Sequence, residues 1–452
     1  MADQVDSQGK SKMLNGTQKA NASAVTAGGM STETVAMDRR RFLVAGAAAG
    51  GAVMAGTVGG VAHAANPENL PPNVPEWSHV LGAAVDDAPY GLPSPFESHV
   101  VRRNVEWLTS TTQASINFTP LANLHGIITP NGLCFCRHHG GAAAVNPEDH
   151  RLIIHGLVDR ELIFTMEDLL RMPSVSRIHF LECAANGGME WRGAQMEALQ
   201  FTHGMINCCE WTGVSLKTVL DQAGLKPKAK WLLAEGADAS GMTRSIPLEK
   251  ALGDCILVYA QNGEMLRPEQ GYPLRLLVPG WEGNMSIKWL RRIEVGDQPW
   301  HTREESSKYT DLMPSGEARR FTWRQETNSV ITSVAPERPL NGKGFYELSG
   351  VAWTGSGKIK RVDISTDGGR NWTTAQISGP VLDKSLTRFR MPWRWNGEEV
   401  LLQSRAMDET GYVQPTFAQL RSTRGIWSIY HRHAIQTWLV RSSGEVENVQ
   451  LS

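Results

Sequence analysis

Cys183 stands in Phe180-Leu181-Glu182-Cys183-Ala184-Ala185-Asn186-Gly187-Gly188, after an apolar strand and before a glycine turn. That setting presents a thiolate at the rim of a pocket, where it is a nucleophile or a soft metal ligand. Taken alone, a single cysteine is more often a small core residue. A second segment, Phe135-Cys136-Arg137-His138-His139-Gly140, sets a guanidinium fork beside two imidazoles, a combination that recognises anions. With Cys134 it also contains zinc-type ligands, but the Cys-x-Cys spacing departs from zinc sites and no second ligand pair follows. Two charges lie in apolar surroundings: Arg275 opens Arg275-Leu276-Leu277-Val278, and Lys288 lies between Ile287 and Trp289 in the run from Gly283 through Ser286 to Leu290. An unpaired buried charge is costly, so each requires either a bound anion or a structural ion pair. The loop Glu235-Gly236-Ala237-Asp238-Ala239-Ser240-Gly241 is polar and glycine-rich, and by itself reads as an ordinary turn.

These side chains need a rigid frame. The stretch Arg151 to Gly156 reads as a strand ended by glycine, Thr165 as the cap of a short helix through Leu170, and Arg275 to Gly280 as a buried strand closed by a Pro-Gly turn. From about Phe321 the texture changes to short β segments. Val362 and Ile364 alternate with Arg361, Asp363 and Ser365, an Asp367-Gly368-Gly369 turn follows, and Trp372 begins the return strand. The pattern predicts an α+β protein: a proline-rich extended arm over 65–118, a mixed α/β domain over 119–320, a β-sandwich over 321–435 and a tail over 436–452.

The first 64 residues are read as an export signal. Asp38-Arg39-Arg40-Arg41-Phe42-Leu43 precedes a weakly apolar run from Val44 to Val61, and Ala62-His63-Ala64 suits cleavage after Ala64. The paired arginines indicate the twin-arginine route, which carries folded proteins, so a soluble periplasmic product without a membrane anchor is expected. Lys+Arg 45 against Asp+Glu 46 leaves a net charge of -1, which provides no basic field for nucleic acid. Of six cysteines, Cys208 and Cys209 are adjacent and unsuited to bridging each other, and no Cys-x-x-Cys-His haem motif occurs.

Read jointly, these segments resemble the sulfite oxidase family of molybdopterin enzymes, in order and spacing across the central domain. The resemblance implies that Cys183 is the molybdenum ligand and, with Arg137 and Tyr309, a catalytic residue. It places Phe135, Cys136, Arg137, His138, His139, Asp238, Gln270, Arg275, Ser286, Ile287 and Lys288 on the cofactor, one Mo-molybdopterin per chain. Gln270 stands where animal-type oxidases have histidine, and Ala185-Asn186-Gly187-Gly188 replaces the usual Gly-Asn-Arg run. The motifs Pro89-Tyr90-Gly91-Leu92-Pro93-Ser94-Pro95-Phe96-Glu97 and Val100-Val101-Arg102 resemble the branch of that family that serves bacterial sulfur oxidation, over about residues 70 to 435. For the sandwich it implies an immunoglobulin-like fold used for homodimerisation. It further implies oxidation of sulfane sulfur on a carrier protein's thiol during thiosulfate oxidation, or alternatively of free sulfite. No haem is expected in this chain, so electrons would pass to a c-type dihaem cytochrome subunit in a heterotetramer.

Overall fold

The structure, a computed structural model, describes residues 93–451; the expected export signal, its expected cleavage site and most of the expected arm before residue 118 lie outside them. Three short antiparallel strands come first, Arg103–Asn104 (β1), Ile116–Phe118 (β2) and Cys136–Arg137 (β3). The main domain then lays down Leu152–Gly156 (β4), Leu162–Phe164 (β5), Ser174–Glu182 (β6), Ile206–Ser215 (β7), Trp231–Gly236 (β8), Thr243–Pro247 (β9), Ile256–Gln261 (β10), Glu264–Met265 (β11), Arg275–Leu277 (β12) and Leu290–Gly296 (β13). They form two five-stranded sheets. One runs β11-β10-β7-β6 with β12 also on β10, all antiparallel; the other runs β5-β4-β13-β8-β9, with β4 and β13 parallel. The fold is mixed α/β, as expected.

Local chemistry accounts for the helices between them. Met166–Leu170 (α1) starts at Thr165, whose hydroxyl accepts from Asp168 N while the Asp168 carboxylate accepts from Thr165 N, a reciprocal capping box. Leu216–Ala223 (α2) buries Leu216, Val219, Leu220 and Ala223, the one-face spacing of an amphipathic helix, in a core that also holds side chains of β4, β8 and β13. The two leucines and the valine contribute about 1.5–3 kcal/mol each. Val219→Asp would place an unpaired charge in that core and detach the helix.

After the hairpin Asp311–Leu312 (β14) and Ala318–Arg319 (β15), the chain forms an immunoglobulin-like sandwich. Its strands are Asn328–Ile331 (β16), Gly344–Trp353 (β17), Ile359–Ser365 (β18), Thr373–Thr374 (β19), Gln376–Ser378 (β20), Thr387–Trp395 (β21), Val400–Asp408 (β22), Thr437–Val440 (β23) and Val446–Val449 (β24). The sheets are β16-β17-β21-β20 and β19-β18-β22-β23-β24. Residues 436–452, read from sequence as a tail, therefore supply two strands: Trp438 is buried and its indole N–H donates to Ile331 O (3.1 Å). Phe321 and Trp323 stack on each other (4.9 Å) and Trp323 on Trp281 (4.8 Å), so the first residues assigned to the sandwich pack on the α/β domain. Asp363, expected on the outer face of its strand, is buried because Arg361 and Arg405 pair with its carboxylate.

The sandwich core does not stop at its own sheets. It continues into Phe180, Ile206 and Cys208 of β6 and β7, and Phe180 N donates to Lys384 O (2.9 Å). The strand that ends at Cys183 is thus braced by the second domain. Among the described residues no helix is long and apolar enough to cross a membrane.

Candidate active site

β6 delivers Cys183. Its N–H donates to Met205 O (3.0 Å), its carbonyl accepts from Asn186 N (2.9 Å), and the Glu182 side chain accepts from Asn186 Nδ2 (3.0 Å) and Trp353 Nε1 (2.8 Å). The loop after β12 passes so close that a Cβ on Gly283 would lie 2.8 Å from Glu182 O, which restricts that position to glycine. The turn therefore holds one thiol at the wall of a cleft that spans about 690 Å³, open solvent included.

That cavity gathers every site residue the sequence pointed to: Phe135, Cys136, Arg137, His138, His139, Cys183, Asp238, Gln270, Arg275, Ser286, Ile287, Lys288 and Tyr309. β3 carries Cys136 and Arg137, and Arg137 Nη1 is tethered to the carbonyl of His138. Arg275 opens β12, nearly sealed from solvent, with Nη1 on Gln270 O (3.0 Å), Nη2 on Ser286 O (3.2 Å) and its guanidinium over the Trp211 ring (5.2 Å). Lys288 Nζ reaches Arg137 O (3.2 Å), Glu269 O (3.1 Å) and His138 Nδ1 (2.9 Å). Its pKa falls to about 7, driven by burial. Burial, then the Lys288 charge, lowers His138 to about 3, so that ring is a neutral acceptor.

Neither Arg275 nor Lys288 has a carboxylate within ion-pair distance among the described residues, which removes the structural ion pair as their explanation. Arg275 Nε and Asn284 Oδ1 are buried without a partner, and both residues line the cavity. Inward cations and orphaned polar atoms fit an anionic, hydrogen-bonding group. The zinc alternative has no geometric basis. Cys134 turns into the core beside Cys209 (3.4 Å) while Cys136 faces Gln270 (3.1 Å), and no cluster of metal-type ligands occurs among the described residues. The cysteines are all unpaired.

Tyr309 completes the rim, its hydroxyl 3.4 Å from His139 Nε2. Burial and the nearby Cys183 push its phenol far up, so it stays protonated and donates. Burial raises the Cys183 thiol above its ordinary range, against the opposing pull of the Ala185 N–H and the Arg137 charge.

Sequence reasoning missed several residues here. Arg244 lies under the Tyr309 ring (5.1 Å); between Thr243 and Ser245 in β9 it lacks the apolar flanks that exposed Arg275. Tyr430, whose ring is 5.1 Å from that of Tyr309, and His431 come from the sandwich domain and carried no local signal.

Comparisons with known proteins agree with this geometry. A family model for the oxidoreductase molybdopterin binding domain matches residues 139–304, and one for the Mo-co oxidoreductase dimerisation domain matches 319–438. The crystal structure of the sulfane dehydrogenase SoxCD from Paracoccus pantotrophus is similar at 56% identity and a TM-score of 0.83, covering 84% of this chain and 98% of that one. Sulfite oxidase of Gallus gallus is 31% identical over 357 residues, 72% of this chain and 77% of that protein. The NADH nitrate reductase of Volvox carteri is also 31% identical, over 402 residues and 76% of this chain, but the match spans only 44% of that longer protein.

Proposed function

The chain belongs to the sulfite oxidase family of molybdopterin oxidoreductases, and from that premise we propose that it oxidises sulfane sulfur held on the thiol of a carrier protein and passes the electrons to a c-type cytochrome. The observation that carries this reading is the 56% identity extending over 98% of a sulfane dehydrogenase chain, well above the 31% to a sulfite oxidase. Mo-molybdopterin, one per chain, would supply two-electron transfer of oxygen to a sulfur atom when bound.

The protein's own residues would bind, orient and move protons. Cys183 offers the soft thiolate. Lys288 and Arg275 neutralise the anionic end of the cofactor, with Gln270, Asp238, Phe135, Cys136, His138, Ser286 and Ile287 around it. Arg137 holds the anionic or polar end of the substrate. Tyr309, kept protonated, donates a hydrogen bond to oxygen at the reacting centre, and His139 beside its hydroxyl passes protons outward.

The twin-arginine leader supports export to the periplasm after cofactor loading. The dimerisation-domain match supports a homodimer through the sandwich, and with a dihaem cytochrome subunit a heterotetramer. Free sulfite is the second reading, favoured by the cationic lining of the cavity and the sulfite oxidase relatives. The purified protein should contain stoichiometric molybdenum. Cytochrome reduction should require the thiosulfate-charged carrier and the dihaem partner. Reduction with free sulfite alone, and none with the charged carrier, would replace the first reading by the second.

A further inference from the structure

Tyr309 adopts a left-handed backbone, φ +50°, which a non-glycine residue keeps only where its surroundings over-determine it. The structure supplies that constraint through a buried chain of alternating charge. Arg244, under the Tyr309 ring, pairs with Glu282 (3.5 Å). Glu282 Oε1 lies 2.6 Å from His431 Nε2, and His431 Nδ1 lies 2.8 Å from Glu326 Oε2. Glu326 bonds Arg424 (2.5 Å), and Arg424 pairs with Asp311 (3.0 Å), two residues beyond Tyr309. The chain thus leaves the tyrosine through its ring and returns through its backbone. The same residue that joins the two halves also grips the other catalytic segment, since His431 N donates to Ala184 O (2.8 Å), next to Cys183.

We infer that His431 is a positioning residue of the active site: its ring fixes Tyr309 through Glu282 and Arg244 while its backbone fixes the Cys183 turn, so the sandwich domain sets the spacing of phenol and thiol. This rests on the reading of Cys183 and Tyr309 as active-site residues. A neutral ring could not hold two carboxylates at these distances. Burial opposes the charge, but Glu326 and Glu282 outweigh it and raise His431 to about 10, so it is an imidazolium at neutral pH. Deleting that cation leaves buried carboxylates facing each other, a break that a buried network tolerates poorly.

His431→Gln keeps a hydrogen-bonding side chain and removes the cation. Hydrogen–deuterium exchange, in cofactor-free and loaded protein alike, should accelerate about tenfold or more in the segments 183–190 and 307–313 together, as local opening of a shared clamp requires, with β17 and β21 unchanged. In turnover, kcat should fall at unchanged KM. That fall should be smaller in a Tyr309→Phe background, because the part of the effect that acts through the phenol is then gone while the part that acts through the Cys183 turn stays. Glu326→Gln, which keeps the Glu282–His431 pair, provides the same exchange reading at smaller amplitude if His431→Gln does not fold. Unchanged exchange in the two segments, acceleration in only one of them, or kcat losses that multiply independently with Tyr309→Phe would overturn the inference. A parent enzyme inactive on sulfur compounds would sink the substrate reading alone, and the exchange measurement would still decide the role of His431.

Discussion

Lys288 provides the sharpest test of the claim that this cavity is built for an anion. Its ammonium is buried with no carboxylate, and its pKa is near 7 against an ordinary 10.5. At about 1.4 kcal/mol per pH unit that gap is worth about 5 kcal/mol at most, less to the extent that water enters the cavity. The sign follows from proton binding. Between about pH 7 and 10.5 the unfolded chain binds more protons than the folded cofactor-free protein, so stability must rise with pH across that window. Lys288→Met abolishes the rise. At pH 7 the variant escapes the desolvation penalty but loses three hydrogen bonds worth about 1 kcal/mol each, leaving it about 2 kcal/mol more stable than the parent. Near pH 10, where the parent lysine is already mostly neutral when folded, the order inverts and the variant is the less stable by about 2–3 kcal/mol. Urea denaturation of the cofactor-free proteins at several pH values measures both. In the loaded protein the anion should flatten the parent's slope, and Lys288→Met should bind less cofactor. Parallel pH profiles for parent and variant would refute the reasoning, because they would mean that the ammonium is solvated or paired.

Cys183→Ser should abolish turnover, by about a thousandfold or more, beyond the ~10–100-fold typical of residues behind a metal ligand. Its folding midpoint should stay within about 1 kcal/mol of the parent, as measured by denaturation beside the activity assay; appreciable turnover would remove Cys183 from its role. Gly271→Ala places a Cβ 3.0 Å from that of Lys288 at φ +106°. It should cost about 1–3 kcal/mol and displace the lysine, seen as a lowered denaturation midpoint together with lowered molybdenum content.

What could be read from the sequence was whatever depends on local cost. A charge inside an apolar run is expensive wherever it folds, so Arg275 and Lys288 were visible as site residues without knowledge of their neighbours. Thr165 announced its helix because a cap acts within the first turn, and the structure adds Asp168 as its reciprocal partner. What could not be read depends on contacts between distant segments. His431 meets Glu282 and Glu326 across 149 and 105 residues, and nothing near any of the three marks them as partners. The last two strands were hidden because the helix Phe417–Arg424 (α3) and an irregular stretch separate Thr437 from β22, breaking the regular spacing of strands and turns. The zinc alternative was decided only by side-chain direction, which sends Cys134 and Cys136 to different neighbours.

The same electrostatics bear on the order of events in the cell. Arg275, Lys288 and Arg137 point inward against Asp238 alone among carboxylates on the cavity wall, so the unloaded protein retains a charge imbalance that only a bound anion relieves. A ligand that binds the folded state and not the unfolded one stabilises it by mass action. Loading should therefore raise the stability of the α/β domain first. The gain should reach the sandwich through the core shared at Phe180 and through His431 against Ala184. On the export reading proposed above, a route that accepts folded proteins would then favour loaded over unloaded chains without any further recognition device.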